Sequence, residues 1–561
     1  MLAPGSKPLR EPGATFAPDQ IGWFDWETKS EVDISDGTFR YMESASPLIL
    51  AIAIGDGPAF ALPWPLTWRS LPPEIRAFHK RVQAGEAVWA AWNAIFDREV
   101  WNQLTDFPEL DPENVIDVMA QAVAAGLPGQ LDGAGMYSGA GRKTADSKKL
   151  ITLFCTGTKA TKREPAVPPA NPQDHPVEWA RFLEYAANDV EVMRDVFNLT
   201  MQLPIEDWEE YWVSERINLR GIRFDRGLAT KAAAMAVVDK DIAAEEIAGL
   251  TDGEINRVTE VQRMAKWVHR VVANPKAREI IEKRGEETDT DENGEIIVTK
   301  AAKFSLTRRR ISLLIALLDT MRTETPDKFT EMDAKALRLL TIRQYGGSTT
   351  PYKFTRMLET CYGDELLGMF VFNGAPQTGR FSSRIVQLHN LMRDALPYEM
   401  DAIDALLDDC DAVTFAEVGD DTPISRKLSM LIRPTLVPED GNAFVWGDFE
   451  QIEARVLPWL ADSPGGEKRL DIFREVDADP SLPDLYTRSA ADISGLPIEE
   501  VTKPIRQRGK VTELACGFGG GVNALQNMAA NYGMRLEDSL AKLSVDNWRA
   551  ANPWAYDFWQ G

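Results

Sequence analysis

Cysteine and histidine are scarce, with four of each in 561 residues. Cys155, Cys361, Cys410 and Cys516 lie far apart and form no CxxC pair. That spacing argues against a cysteine zinc site and a disulfide framework, and it suits a reducing compartment. Long apolar runs are missing too. The longest, "SPLILAIAIGDGPAFAL", is broken by Gly and Asp, is too short to span a bilayer and lies too far in to be a signal peptide. The expectation is a soluble, cytoplasmic protein with no membrane partner. Positive charge is also in deficit, leaving a net charge of −24. This excludes a protein that coats nucleic acid nonspecifically. It leaves room for a nucleic-acid enzyme whose carboxylates hold metals and whose cations are confined to one groove. The basic residues do cluster, at Lys266 to Arg284, Lys303 to Arg310 and Lys503 to Lys510.

What is present is ordinary globular composition, 44% hydrophobic and 26% charged, in a chain long enough for several domains. The fold class expected is α/β multidomain. Residues 1–20 are rich in Pro and Gly and read as a loose tail. From Ile21 to Asp97 short β-type runs alternate with turn residues, "IGWFDWET" and "PLILAIAI" being the clearest. Helical periodicity follows at Ile116–Gly126 and Val177–Leu203, with the Pro-rich "REPAVPPANPQDHP" as a surface loop between them. Residues 206–345 are mostly helical by pattern. Short strands and loops are expected over Tyr345–Asp440, including the acidic "DAIDALLDDCDAV". Residues 441–561 read as a strand followed by helices. No internal repeat is evident.

Two motifs are weak. "DTDENGEIIVTK" has the Asp289, Asp291, Asn293, Gly294 spacing of a calcium loop, but Lys300 stands where a bidentate Glu belongs. A β-hairpin turning at Asn-Gly explains it better. The glycines of "GAGMYSGAGR" and "GFGGGV" lack a GK[ST] tail and read as turns and a helix stop.

Stronger is a set of acids drawn from three segments. "FDWET" puts Asp25 and Glu27 two apart on a strand, so both carboxylates share a face. "WNAIFDREVW" supplies Asn93 and Asp97, and "EYAANDVEVMRDVF" supplies Tyr185 and Asp189 at i and i+4 of a helix. Four acids and a tyrosine suit a two-metal phosphodiesterase: the acids hold the ions and the phenol orients the attacking water. A second acid stands in "VWGDFEQIEARVL", where an apolar run ends at Asp448 and a helix follows. Further on, Arg506, Lys510, Leu514 and Phe518 recur every four residues and so line one side of a helix. Its first turns carry two cations suited to a triphosphate. Its last carries an aromatic ring able to stack near a base.

In this order and spacing, DxE, NxxxD and YxxxD resemble the three motifs of DnaQ-like (DEDDy) 3′–5′ proofreading exonucleases. The resemblance implies a ribonuclease-H-like fold over 21–205. The rest resembles a family A DNA polymerase, in the style of DNA polymerase I and its phage relatives. "TGRFSSRIVQLHN" is similar to the segment that holds the primer end, "DFEQIEARVL" to motif A and "RQRGKVTELACGFGGG" to motif B of the fingers.

The resemblance implies a right hand of helical linker and thumb (206–345), palm part with motif A (346–462) and fingers with motif B (463–561). It carries over Asp448 as a metal ligand and Glu453 as the gate against a ribose 2′-hydroxyl. Arg506, Lys510, Leu514 and Phe518 become nucleotide contacts, and Asn93, Lys353, Arg380, His389, Asn390 and Arg455 become DNA contacts. The implied cofactors are Mg²⁺ or Mn²⁺, two ions per site. The implied partners are primer–template DNA, single-stranded 3′ ends and deoxynucleoside triphosphates.

Two departures concern sugar and base selection: the family usually has an aromatic at the position of Leu514 and often a tyrosine at that of Phe518. A 5′-nuclease domain is not expected. In the family a second palm carboxylate follows the fingers in a His-Asp-Glu-like triplet, motif C. None of His79, His175, His269 and His389 is followed by an acid. The expectation is that a second chain supplies the partner of Asp448. The alternative is a stand-alone 3′–5′ exonuclease whose polymerase portion grips DNA. A non-catalytic DNA-holding subunit fits less well, because the exonuclease acids are intact.

Overall fold

The computed structural model describes residues 13, 15–140, 146–160, 165–284, 287–290, 296–300, 303–346, 350–375 and 378–561, with side chains of 283–300 outside that description. It divides into two compact units, 1–443 and 444–561.

The first unit begins with a five-stranded mixed sheet. Its strands are β1 (Ile21–Lys29), β2 (Ser46–Ile54), β3 (Phe60–Pro63), β4 (Val88–Ala91) and β5 (Val115–Asp117), in the order β3-β2-β1-β4-β5. β1 runs antiparallel to β2 and parallel to β4, and β4 runs parallel to β5. This is the ribonuclease-H-like arrangement expected.

Alternation along β1 decides its two faces. Phe24 and Trp26 enter a core rich in tryptophan with Trp89 and Trp101. Ile21 and Trp23 enter the opposite core, where Trp23 meets Phe197 edge-on at 5.3 Å. Asp25 and Glu27 continue that second face, where the apolar packing gives out. Gly22 is required by close approach, since a Cβ there would lie 2.5 Å from the rings of Phe78 and Trp89.

Three helices frame the acids. Ala94–Leu104 starts from Asn93, which caps it in the left-handed conformation at φ 58°. Pro176–Leu199 opens with Pro in its first turn, a favoured place, and buries Phe182, Tyr185, Asp189 and Met193 against the sheet. Ile205–Arg220 adds Trp208, Tyr211 and Trp212 to the same core, and Trp212 Nε1 donates to the Val115 carbonyl at 2.9 Å.

The helix Arg226–Leu250 then crosses two further cores. One packs Tyr352–Thr360 and Ile424–Thr435, and the other packs Val261–Val271, Arg308–Glu324 and Glu331–Gly346. Strands Glu287–Thr290 and Ile296–Lys300 pair antiparallel, as a hairpin requires. Its tip, with Asp291, Asn293 and Gly294, lies outside the described residues. Strands Phe370–Ala375 and Arg380–Ser383 form a second hairpin.

Two expectations fail locally. Tyr345–Asp440 is not chiefly strand and loop, since Glu399–Leu407, Ala412–Glu417 and Ile424–Thr435 are helices there. In the acidic stretch Ala402 and Leu406, four apart, face the core while the acids face water, a stripe masked by the density of charge. The segment around Val445–Asp448 is not a strand. Val445 is 97% and Trp446 90% exposed, and no described residue pairs with this backbone. Without a neighbouring strand to take its N–H and C=O groups, an apolar run has no ladder to join.

The second unit is helical from Ile452 onward. Leu485–Ser494 and Lys503–Gly517 pack so closely that a Cβ on Gly509 would lie 2.6 Å from Ala490 Cβ. Glu513 is buried between them, accepting from Ser489 Oγ at 2.6 Å and Trp548 Nε1 at 2.7 Å. Gly519, at φ 72°, follows the end of the helix Lys503–Gly517, as the glycine run suggested. No helix among the described residues is long and apolar enough to cross a membrane.

Candidate active sites

Strand β1 and the helix Pro176–Leu199 bring Asp25, Glu27 and Asp189 together, one carboxylate oxygen from each lying within 4.8 Å of the others. Asp97 comes from the adjoining helix and is buried, its Oδ1 accepting from the Trp26 N–H at 2.8 Å. Burial first, then the charge of Asp25, pushes the Asp97 carboxyl well up, and Glu27 and Asp117 add to this. Like charges so close raise one another's carboxyls, and a bound cation would offset them. All four oxygen-donor residues suit a hard divalent ion.

Tyr185 lies one turn before Asp189 and donates its phenol to that carboxylate. Burial and then the charges of Asp189 and Glu27 hold the phenol protonated far above its ordinary range. Its ring stacks on Phe182 at 5.7 Å with an interplanar angle of 6°, which fixes the direction of the hydroxyl.

Cys155, unremarked in the sequence, sits in a π-helical turn (Thr152–Thr156), and its thiol faces Glu27 Oε2 at 3.8 Å. Burial, and then the Glu27 charge, keeps that thiol protonated.

Asn93 does not stand free beside the acids. Its N–H donates to Asp117 Oδ1 at 2.9 Å, and its Oδ1 accepts from Arg384 at 3.2 Å. Arg384 lies four residues beyond Arg380, and nothing local marks it as reaching the sheet.

Arg380, His389 and Asn390 are exposed, the first on the hairpin strand Arg380–Ser383 and the others in the short turn Leu388–Asn390. Lys353 is half-buried and donates to the carbonyls of Val386 and Gln387, so it shapes the backbone just before that turn.

In the second unit Asp448 is exposed on the segment before the helix Ile452–Ala461, and Glu453 lies in that helix's first turn. Arg455 grips Asp477 through two nitrogens at 2.6 and 2.8 Å and lies 4.5 Å over the Phe473 ring.

Arg506, Lys510 and Leu514 occupy the half-buried side of Lys503–Gly517, while Phe518 follows its end exposed. Arg506 Nε donates to Asp484 Oδ1 at 3.2 Å. The Lys510 ammonium lies 5.8 Å from the Tyr486 ring centre and 5.4 Å from that of Tyr532. Burial first, then the Glu513 charge, pushes the Tyr486 phenol up to about 12. Asp484, Tyr486 and Tyr532 are thus partners of the two cations that the four-residue spacing could not reveal.

The chain is 30% identical over 545 residues to the DNA polymerase of Bacillus phage SP02, covering 95% of this chain and 74% of that protein. It belongs to the family A DNA polymerases. A shorter match, 28% identity over 97 residues, links it to DNA polymerase I of Caldicellulosiruptor bescii, covering 17% of this chain and 10% of that one. Among solved structures it shares the fold of the polymerase domain of Pol1 from M. smegmatis, solved with DNA primer–template and dNTP. The TM-score is 0.50 at 14% identity, over 96% of this chain and 74% of that one. No family model matches.

Proposed function

We propose that this family A polymerase is a phage replicative enzyme that also proofreads, through a two-metal 3′–5′ exonuclease built on β1 and its flanking helices. The observation that carries the reading is the convergence of Asp25, Glu27 and Asp189, with Asp97 fixed beside them. Two Mg²⁺ or Mn²⁺ ions held there would activate water and stabilise the leaving oxygen of a 3′-terminal phosphodiester. The chain's own residues do the rest. The carboxylates fix the ion positions, Tyr185 orients the attacking water through its phenol, and the sheet keeps the acids rigid.

For synthesis, Asp448 serves as a metal ligand and Glu453 as the sugar gate. Arg506 and Lys510 bind the triphosphate, with Leu514 and Phe518 against the sugar and base. Arg380, His389 and Asn390 contact the primer end. Lys353 and Arg455 support such contacts by holding neighbouring backbone and side chains. Nucleotidyl transfer needs both ions fixed from two sides, so a second carboxylate must oppose Asp448 across the metal pair. The test is metal-dependent binding of a deoxynucleoside triphosphate to a primer–template complex of an Asp25→Ala variant, which removes proofreading, against Asp25→Ala/Asp448→Ala. Weaker binding in the double variant is expected, and equal binding in both would remove the metal-ligand role of Asp448.

A further inference from the structure

The hairpin that bears Arg380 is fastened to the exonuclease sheet. Phe372 packs edge-on against Tyr211 at 5.9 Å and joins the same core as Trp23 and Tyr185. The Asn218 side chain pairs with the backbone of Phe370 in both directions, at 2.8 and 3.0 Å. One charged link runs from the hairpin's far end: Arg384, whose guanidinium reaches Asn93 Oδ1 at 3.2 Å. Asn93 caps, in a left-handed conformation that Asn adopts more readily than other non-glycine residues, the helix whose first turn carries Asp97. Its other fastening is the N–H bond to Asp117, and Asp117 in turn caps the next helix through Met119 N at 2.9 Å.

We infer that Arg384 is a positioning residue of the exonuclease, and that it acts through Asn93 on the placement of Asp97. Three features favour this over simple packing. The bond is made by a charged donor to the side-chain oxygen of the residue that starts the Asp97 helix, so its loss frees that cap to move. Arg384 also opposes the charges of Asp117 and Glu215, both buried and both held above the usual carboxylate range by burial. And the residue belongs to the segment resembling the primer grip, so the link joins that segment to the exonuclease acids within one compact unit. The inference rests on the exonuclease reading of Asp25, Glu27, Asp97 and Asp189.

The test is steady-state digestion of a 3′-labelled single-stranded oligonucleotide in Mg²⁺ by the whole chain, by R384Q, R384K, N93A and the R384Q/N93A double variant. Rates are taken well below each variant's melting temperature, so that loss of folded protein does not enter. R384Q should lower kcat about tenfold with KM within about twofold, the scale of an outer-sphere partner in a metal site. N93A should do the same, and the double variant should be no slower than the slower single one, because both cut one link. R384K, which keeps the charge and one donor, should recover part of the loss. Should R384Q fail to fold, R384K against N93A decides. A parent-like rate in R384Q, or losses that multiply in the double variant, would overturn the inference while leaving the exonuclease assignment intact. A parent that digests nothing would overturn both.

Discussion

The Trp26 N–H donates to Asp97 Oδ1 at 2.8 Å, so the residue that separates Asp25 from Glu27 on the strand also fixes the carboxylate of a different segment. One peptide unit thereby sets the spacing between two elements of the site. It also leaves Asp97 dry and beside two acids, which is why its proton is held so firmly.

Metal binding at this site should therefore release a proton. A carboxylate must be ionised to hold a cation, and Asp97 gives up its proton only against burial and the charges of Asp25 and Glu27. Mn²⁺ titration calorimetry in two buffers of different ionisation enthalpy should show proton release and an affinity that weakens as pH falls. Asp97→Asn should lose the proton release.

Asp117 gives a stability prediction of definite sign. Burial, then the Glu215 charge, lifts its carboxyl from 3.8 to about 7. Below about pH 4 both folded and unfolded chains carry the proton. Between there and about 7 only the folded chain does, so stability falls as pH rises through that window. A shift of this size corresponds to at most about 4 kcal/mol. Asp117→Asn keeps an acceptor for the N–H groups of Asn93 and Met119 and cannot ionise. Its melting temperature should change less between pH 5 and 7 than the parent's.

Lys510→Ala should weaken binding of the correct nucleotide to a primer–template complex at least about tenfold, since it removes a full charge from the triphosphate. Digestion of single strands should be unchanged, because Lys510 belongs to the other compact unit. Fluorescence titration with a labelled primer–template measures the first and gel assay the second.

Much of this was legible in the residues themselves. Strand alternation placed Asp25 and Glu27 on one face, and the four-residue spacing placed Tyr185 with Asp189 and Arg506 with Lys510. Local pattern failed where a distant partner decides. Val445–Asp448 carries a strand's sequence but meets no ladder. Ala402 and Leu406 make a helix inside a run of acids. Cys155 meets Glu27 across 128 positions, and Arg384 meets Asn93 across 291, separations that no spacing rule spans.

The exonuclease role proposed for β1 and its flanking helices depends on their metal-binding acids. The direct measurement is digestion of a 3′-labelled single strand in Mg²⁺ by the parent, Asp25→Ala, Asp189→Ala and the double variant, with DNA affinity measured alongside. Digestion by the parent is expected, with a loss of at least about a thousandfold in each variant, as when a ligand of a two-metal site goes, and DNA affinity within about threefold. Undiminished digestion by the double variant would contradict that role.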